Sequence, residues 1–255
     1  MEKIFKQFQG LRQYGLKYTP FILARLGLKR SGEITVKFFW GKTVKLPFNA
    51  VTTELYYLQA VPEPRLIDFL SKTLKEGDVF YDIGANYGFY SFLASHLRAK
   101  VFLFEPIAEN CKAIRKNISP AEDISVNEVA VGEVANEQIP FYEATIRNSQ
   151  SSADSKAVEG VKTRKVLAKT ESIDNFVLTH PKPTVLKIDV EGFEEKVIKG
   201  GSTFFRDNFP VIIMEAWGGE KGEQFAPPAI TYLNSLGYKI RENLDGNNVF
   251  RKVSA

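Results

Sequence analysis

Cysteine is almost absent: Cys111 is the only one in 255 residues, which excludes an intrachain disulfide framework. Histidine is nearly as scarce, and His96 and His180 leave no Cys/His cluster with the spacing of a structural zinc site. No apolar run approaches the roughly 18 residues that a bilayer span requires, and the first residues lack a charged-then-apolar leader. These absences predict a cytoplasmic enzyme without redox or structural zinc chemistry. What is plentiful is apolar residue, 44% of the chain, enough to bury a substantial core and to set disorder aside.

The net charge of +4 is too small to argue for nucleic acid, but it is unevenly spread. Residues 1–50 hold ten Lys and Arg against Glu2 and Glu33, a local charge of +8 that leaves −4 for the rest. Such asymmetry fits peripheral contact with anionic membrane or an acidic substrate, and it fits an ordinary solvated basic face as well.

Residues 1–30 interleave Ile4, Phe5, Phe8, Leu11, Phe21, Ile22, Leu23 and Leu26 with basic residues, the pattern of amphipathic helix. Residues 34–39 and 43–46, around Trp40-Gly41-Lys42, predict a hairpin, and residues 62–74 predict a helix closed by Gly77. Residues 1–76 thus form an N-terminal helix and hairpin cap, ahead of a main domain over 77–255.

From Val79 strands alternate with helices, as in a mostly parallel sheet covered on both faces. Strands are expected at 79–83, 101–104, 124–131, 184–190 and 211–215, and helices at 88–97, 108–118, 194–205 and 229–236. A closing pair, 238–241 and 249–252, turns at Asp245-Gly246-Asn247 and makes an antiparallel hairpin. The expected fold is therefore α/β and Rossmann-like, with a seven-stranded sheet. A polar insertion over 132–183 reads either as a mobile surface loop or as an acceptor-binding lid; Asn148–Ser155 is its least structured stretch and Thr163–Val166 its one candidate strand.

Asp82-Ile-Gly84-Ala85-Asn86-Tyr-Gly88 places glycines at a strand-to-helix turn, where backbone passes close to a ligand. A dinucleotide fingerprint would want glycine at 82 and 87, where Asp82 and Tyr87 stand. A carboxylate at that strand end repels a pyrophosphate but pairs with the ammonium of a methionine moiety, so Asp82 points to S-adenosylmethionine. Asn86 tolerates the left-handed backbone such a loop requires. Glu105 ends the next strand, followed by Pro106, where a carboxylate can accept both ribose hydroxyls. Val129-Ala130-Val131 lies where an adenine ring can be sandwiched, and equally where core is expected.

These segments, together with Ala130-Val131-Gly132, Leu186-Lys-Ile-Asp-Val-Glu-Gly-Phe-Glu194, Gly200-Gly201 and Met214-Glu215, resemble the FkbM family of methyltransferases over residues 79–217. The resemblance implies a class I methyltransferase fold and O-methylation of sugars, polyketides or other secondary metabolites.

The block around Asp189 is unusual in its own right. Residues 184–190 should form a central strand, yet alternation puts Lys187 and Asp189 on one face of it. Unpaired buried charge costs several kcal/mol, so these groups must be paired or stand at the strand's open end. Lys187 is expected to be an ion-pair partner of Asp189 or Asp82. Asp189, Glu191 and Glu215, at neighbouring strand ends, can hold a divalent cation, orient an acceptor or accept its proton. Glu194 and Glu195 fit the following helix dipole. His180 offers a base carried on the insertion, and His96 a surface position late in a helix.

Two rivals remain at this level. A nicotinamide-dependent oxidoreductase lacks its third loop glycine and any Tyr-x-x-x-Lys pair. A non-catalytic membrane-associated protein that kept the fold would have no use for Asp189 and Glu191.

Overall fold

The computed structural model describes residues 32–48, 63–144, 151–215 and 227–253. The chain divides into two units, residues 1–62 with 145–149, and residues 63–144 with 150–255. The amphipathic helix expected over residues 1–30, and any membrane contact it makes, lie outside the described residues. In the first unit, β1 (Glu33–Lys37) and β2 (Thr43–Pro47) form the expected antiparallel hairpin, with Ile34 opposite Leu46 and Val36 opposite Val44. Alternation buries those four side chains and exposes Thr35 and Lys45.

The second unit is built on seven strands: β3 (Val79–Ile83), β4 (Lys100–Phe104), β5 (Ile124–Asn127), β9 (Val185–Ile188), β10 (Val211–Glu215), β11 (Tyr238–Leu244) and β12 (Asn247–Lys252). Their order across the sheet is β11-β12-β10-β9-β3-β4-β5. The five from β5 to β10 are parallel, and β12 and β11 are antiparallel to their neighbours. This is the expected Rossmann-like class I arrangement. Strands β3, β4 and β9 are near-continuous apolar runs because helices cover both of their faces.

On one face α4 (Ile173–Phe176), α5 (Glu194–Lys199), α6 (Ser202–Asn208) and α7 (Pro227–Ser235) bury Phe176, Val197, Phe205 and Leu233 against Tyr81, Phe104, Leu186, Ile212 and Phe250. On the other, α2 (Phe89–His96) places Ser91 on Asp82 and Tyr90 beneath Lys187. Helix α3 (Ala108–Asn117) packs Ile114 against Gly88. Helix α1 (Pro64–Thr73) begins where the β11–β12 turn supplies its cap: the Asp245 carboxylate accepts the N–H groups of Arg65 and Leu66 at 2.7 and 3.3 Å. Among the described residues no helix is long and apolar enough to cross a membrane.

Three expectations are corrected. The third strand does not run through Val131: it ends at Asn127, and Ala130-Val131 (β6) leaves the sheet to pair in parallel with Thr170 and Glu171. The helix expected over 194–205 is two helices, because the chain at Gly132 crosses at Gly200. A Cβ on Gly200 would lie 2.0 Å from the Gly132 carbonyl oxygen, and Asp174 accepts the N–H groups of Thr203 and Phe204 to start α6. The described part of the insertion is not all loop: β7 (Gln138–Ala144) and β8 (Thr163–Glu171) pair antiparallel along seven residues, so the strand expected at 163–166 runs on to Glu171.

Candidate active site

The parallel strands end level with one another, since Ile83 pairs with both Phe104 and Ile188, and Ile188 with Met214. The residues that follow therefore form a row along one sheet edge: Gly84, Glu105, Asp189 and Glu215. Strand order reverses between β3 and β9, the point at which open α/β sheets bind ligands.

The loop after β3 is tied at both ends. The N–H groups of Gly84 and Ala85 donate to the Phe104 carbonyl at 2.9 and 3.1 Å. Asn86, at φ +52°, donates its N–H to Glu105 Oε2 at 2.8 Å, while its own side-chain Oδ1 is buried without a partner. Gly84 is required by the protein itself, because a Cβ there would lie 1.8 Å from the Asp189 carbonyl oxygen. That carbonyl belongs to the residue directly after β9. Gly88, at φ +77°, starts α2.

Glu105 is buried, and its Oε1 accepts from Ile107 N–H at 2.9 Å and Asn110 Nδ2 at 3.3 Å. Burial pushes its carboxyl up to about 7, against the pull of those N–H groups. Pro106 follows, half-buried, and Ala130 packs with Ile107, Phe141 and Ala168.

Behind the row lies a buried polar set. Lys187, 2% exposed, donates to Asp189 Oδ2 at 2.7 Å, with its ammonium 4.9 Å from the centre of the Tyr90 ring. Tyr90 donates its hydroxyl proton to Glu63, which also accepts from Asn247 Nδ2 at 2.6 Å. Asp82, opposite Lys187 in the sheet register, accepts from Ser91 Oγ at 2.6 Å. Burial raises the Asp82 carboxyl, opposed by Lys187 and Ser91. Burial works against the charge on Lys187, but Asp189, Glu63, Asp82 and Glu215 outweigh it and hold the ammonium charged.

Asp189, Glu191 and Glu215 each bring one carboxylate oxygen within 4.8 Å of the others. Burial would raise Asp189, but Lys187 and the hydrogen bonds from Glu215 and Lys187 hold its carboxyl below the usual range. Glu215 shares a hydrogen bond with Asp189; burial, then that neighbouring charge, push it up to about 11, so it carries the proton of the pair at neutral pH. Glu191 stands at the rim, still in contact with solvent, at φ +52°. Partial withdrawal from water, then the charges of Asp189 and Glu194, push it up to about 8.

The model of the Methyltransferase FkbM domain matches residues 82–240, more than half of the sequence. The chain belongs to the FkbM methyltransferase family. A curated relative, the hexuronic acid methyltransferase AglP of Haloferax volcanii, is 27% identical over 160 residues, which span 60% of this chain and 63% of that protein. Among solved structures, Methyltransferase FkbM from Methylobacillus flagellatus is 14% identical at a TM-score of 0.48, covering 78% of this chain and 52% of that one. A precorrin-6y C5,15-methyltransferase from Geobacter metallireducens is 15% identical at 0.46, covering 76% and 90%.

In this member of the FkbM family the strand ends bring Gly84, Ala85, Asn86, Glu105, Asp189, Glu191 and Glu215 together, with Lys187 paired to Asp189. His180 stands apart from them: it stacks on Phe176 at 3.8 Å and leads into the opposite, amino end of β9, where Thr184 N–H reaches the Val79 carbonyl. His96 is on the surface. Glu194 is buried and accepts the Gly192 N–H at 3.1 Å, closing the turn as well as facing the helix dipole. Sequence reasoning missed Glu63, Tyr90, Ser91, Asn247 and Ser152. A lysine inside a buried strand was the signal that such partners must exist, but not where they lie in the chain.

Proposed function

We propose that this methyltransferase uses S-adenosylmethionine to methylate a hydroxyl oxygen of a sugar acid or of a glycan that contains one. The observation that carries the reading is the row of carboxylates at the switch point, in three different protonation environments, beside a loop whose Asn86 carries an orphaned buried acceptor. Support for the substrate class comes from the relative named a hexuronic acid methyltransferase. The residues fit the cofactor: Asn86 Oδ1 needs a donor, and Glu105 stands at the strand end from which ribose hydroxyls are bound.

Bound S-adenosylmethionine would supply an electrophilic sulfonium methyl: the C–O bond to the acceptor would form as the C–S bond breaks, with the neutral thioether as leaving group. The protein's part is to align the reacting atoms and take one proton. Asp189, kept ionised by Lys187, accepts a hydrogen bond from a hydroxyl of the acceptor next to the reacting one, and protonated Glu215 holds Asp189 in place. Glu191, with its carboxyl near 8, matches the demand on a general base at neutral pH and receives the hydroxyl proton as the C–O bond forms.

The three carboxylates are close enough to share a divalent cation, but Lys187 already balances Asp189 and Glu215 holds a proton, so their charge is compensated without a metal. Calorimetric titration with S-adenosylmethionine, S-adenosylhomocysteine and NADH tests the cofactor: binding of the first two is expected. Tight NADH binding with no affinity for the sulfonium compound would overturn it.

A further inference from the structure

The insertion between β6 and α4 reaches the candidate site through the buried Ser152. Ser152 is fully buried, and its hydroxyl donates to the Glu191 carbonyl at 2.7 Å while accepting the Asp154 N–H at 2.9 Å. Its backbone is fixed in turn to β7: Tyr142 and Ser152 exchange N–H and carbonyl bonds at 2.8 and 3.2 Å, and Ser151 Oγ accepts the Ala144 N–H at 2.8 Å. On the other side of the bond, Glu191 is a non-glycine residue in the left-handed region at φ +52°, followed by Gly192 at φ +99°. A residue of this kind is strained and persists only where its surroundings over-determine it. The space beside Gly192 is taken up as well, since a Cβ there would meet the Ala157 Cβ at 3.0 Å.

We propose that Ser152 is a positioning residue: it latches the Glu191–Gly192 turn in its left-handed conformation, so that the insertion forms the acceptor-side wall of the site and aims the Glu191 carboxylate. The latch itself is a statement about the turn. Its effect on turnover rests on the function proposed above.

Two measurements separate the two statements. Amide hydrogen exchange at Gly192 and Phe193 is expected to speed up roughly tenfold in Ser152→Ala, the worth of one ordinary hydrogen bond, and to stay at the wild-type rate in Ser155→Ala, an exposed neighbour. Unchanged exchange at those amides in Ser152→Ala would overturn the latch whatever the enzyme methylates. In turnover assays Ser152→Ala should lower kcat about 10–100-fold with S-adenosylmethionine affinity within twofold of wild type, and the further loss should shrink to under twofold in a Glu191→Gln background, because both changes remove the same carboxylate function. An equal loss in both backgrounds would show that Ser152 acts by some route other than Glu191. A wild-type chain that transfers no methyl group counts against the proposed function, and the exchange experiment still decides the latch.

Discussion

Replacing Lys187 by methionine tests the electrostatic core of the site. The ammonium lies 2.7 Å from Asp189 Oδ2, with side-chain exposures of 3% and 30%. At that separation the attraction is about 6 kcal/mol at an effective dielectric near 20, before the desolvation of both ions is charged against it. Removing one partner of a buried pair typically costs about 3–5 kcal/mol, and the lower end applies because Asp189 keeps some access to water. The pH dependence has a definite sign. In the wild type the Asp189 carboxyl is lowered, so it contributes stability at neutral pH that is lost only as pH falls through its depressed value. Without Lys187 the burial around Asp189 raises its carboxyl instead, so the variant's deficit should be larger at pH 8 than at pH 5. Denaturant unfolding at the two pH values measures this. Turnover should fall by at least 10²-fold, because Asp189 then takes up a proton and loses its hold on the acceptor hydroxyl. The double variant Lys187→Met/Asp189→Asn should recover much of the stability and none of the turnover. A single variant as stable and active as the wild type at both pH values would refute the pairing.

Other consequences follow from the same geometry. Glu105→Gln should weaken S-adenosylmethionine binding about 10–100-fold, since hydrogen bonds to a charged group are worth roughly 1.5–3 kcal/mol. Wild-type affinity should decline as pH falls below about 7, where Glu105 takes up its proton, and the glutamine variant should show no such decline in calorimetry. For Glu191→Gln, kcat should fall about 10²–10⁴-fold, and the rise of wild-type kcat/KM as pH increases through about 8 should disappear. Chelator in excess is expected to leave turnover within twofold; loss of activity that magnesium restores would place a cation among Asp189, Glu191 and Glu215.

The central sheet was legible because residues buried on both faces leave long apolar runs: Val79–Ile83, residues 101–104 and Val211–Glu215 read as strands without help from tertiary contacts. Lys187 and Asp189, two apart in such a run, announced a buried pair, and the distance between them shows it. Strand β7 was not legible. It carries Gln138 and Pro140, and only Phe141 and Ala144 are buried, so its pattern is that of a polar strand held by its pairing with β8. The break at Gly200-Gly201 depends on the passage of Gly132, nearly seventy residues earlier in the chain. Gly84 was singled out as a point of close approach, and the Asp189 backbone makes one there. Glu63 and Asn247 meet across 184 positions, beyond any local pattern. The serines at 151 and 152 read as unstructured because short hydroxyl side chains look alike whether they face water or tie a turn.

The most direct test is to incubate the protein with methyl-labelled S-adenosylmethionine and oligosaccharides that contain hexuronic acid, then locate the label by mass analysis of the product. One methyl group is expected on a hydroxyl oxygen, stable to mild base, with equimolar S-adenosylhomocysteine and no product from Asp189→Asn. A base-labile methyl ester on the carboxylate, or label on carbon or nitrogen, would contradict it.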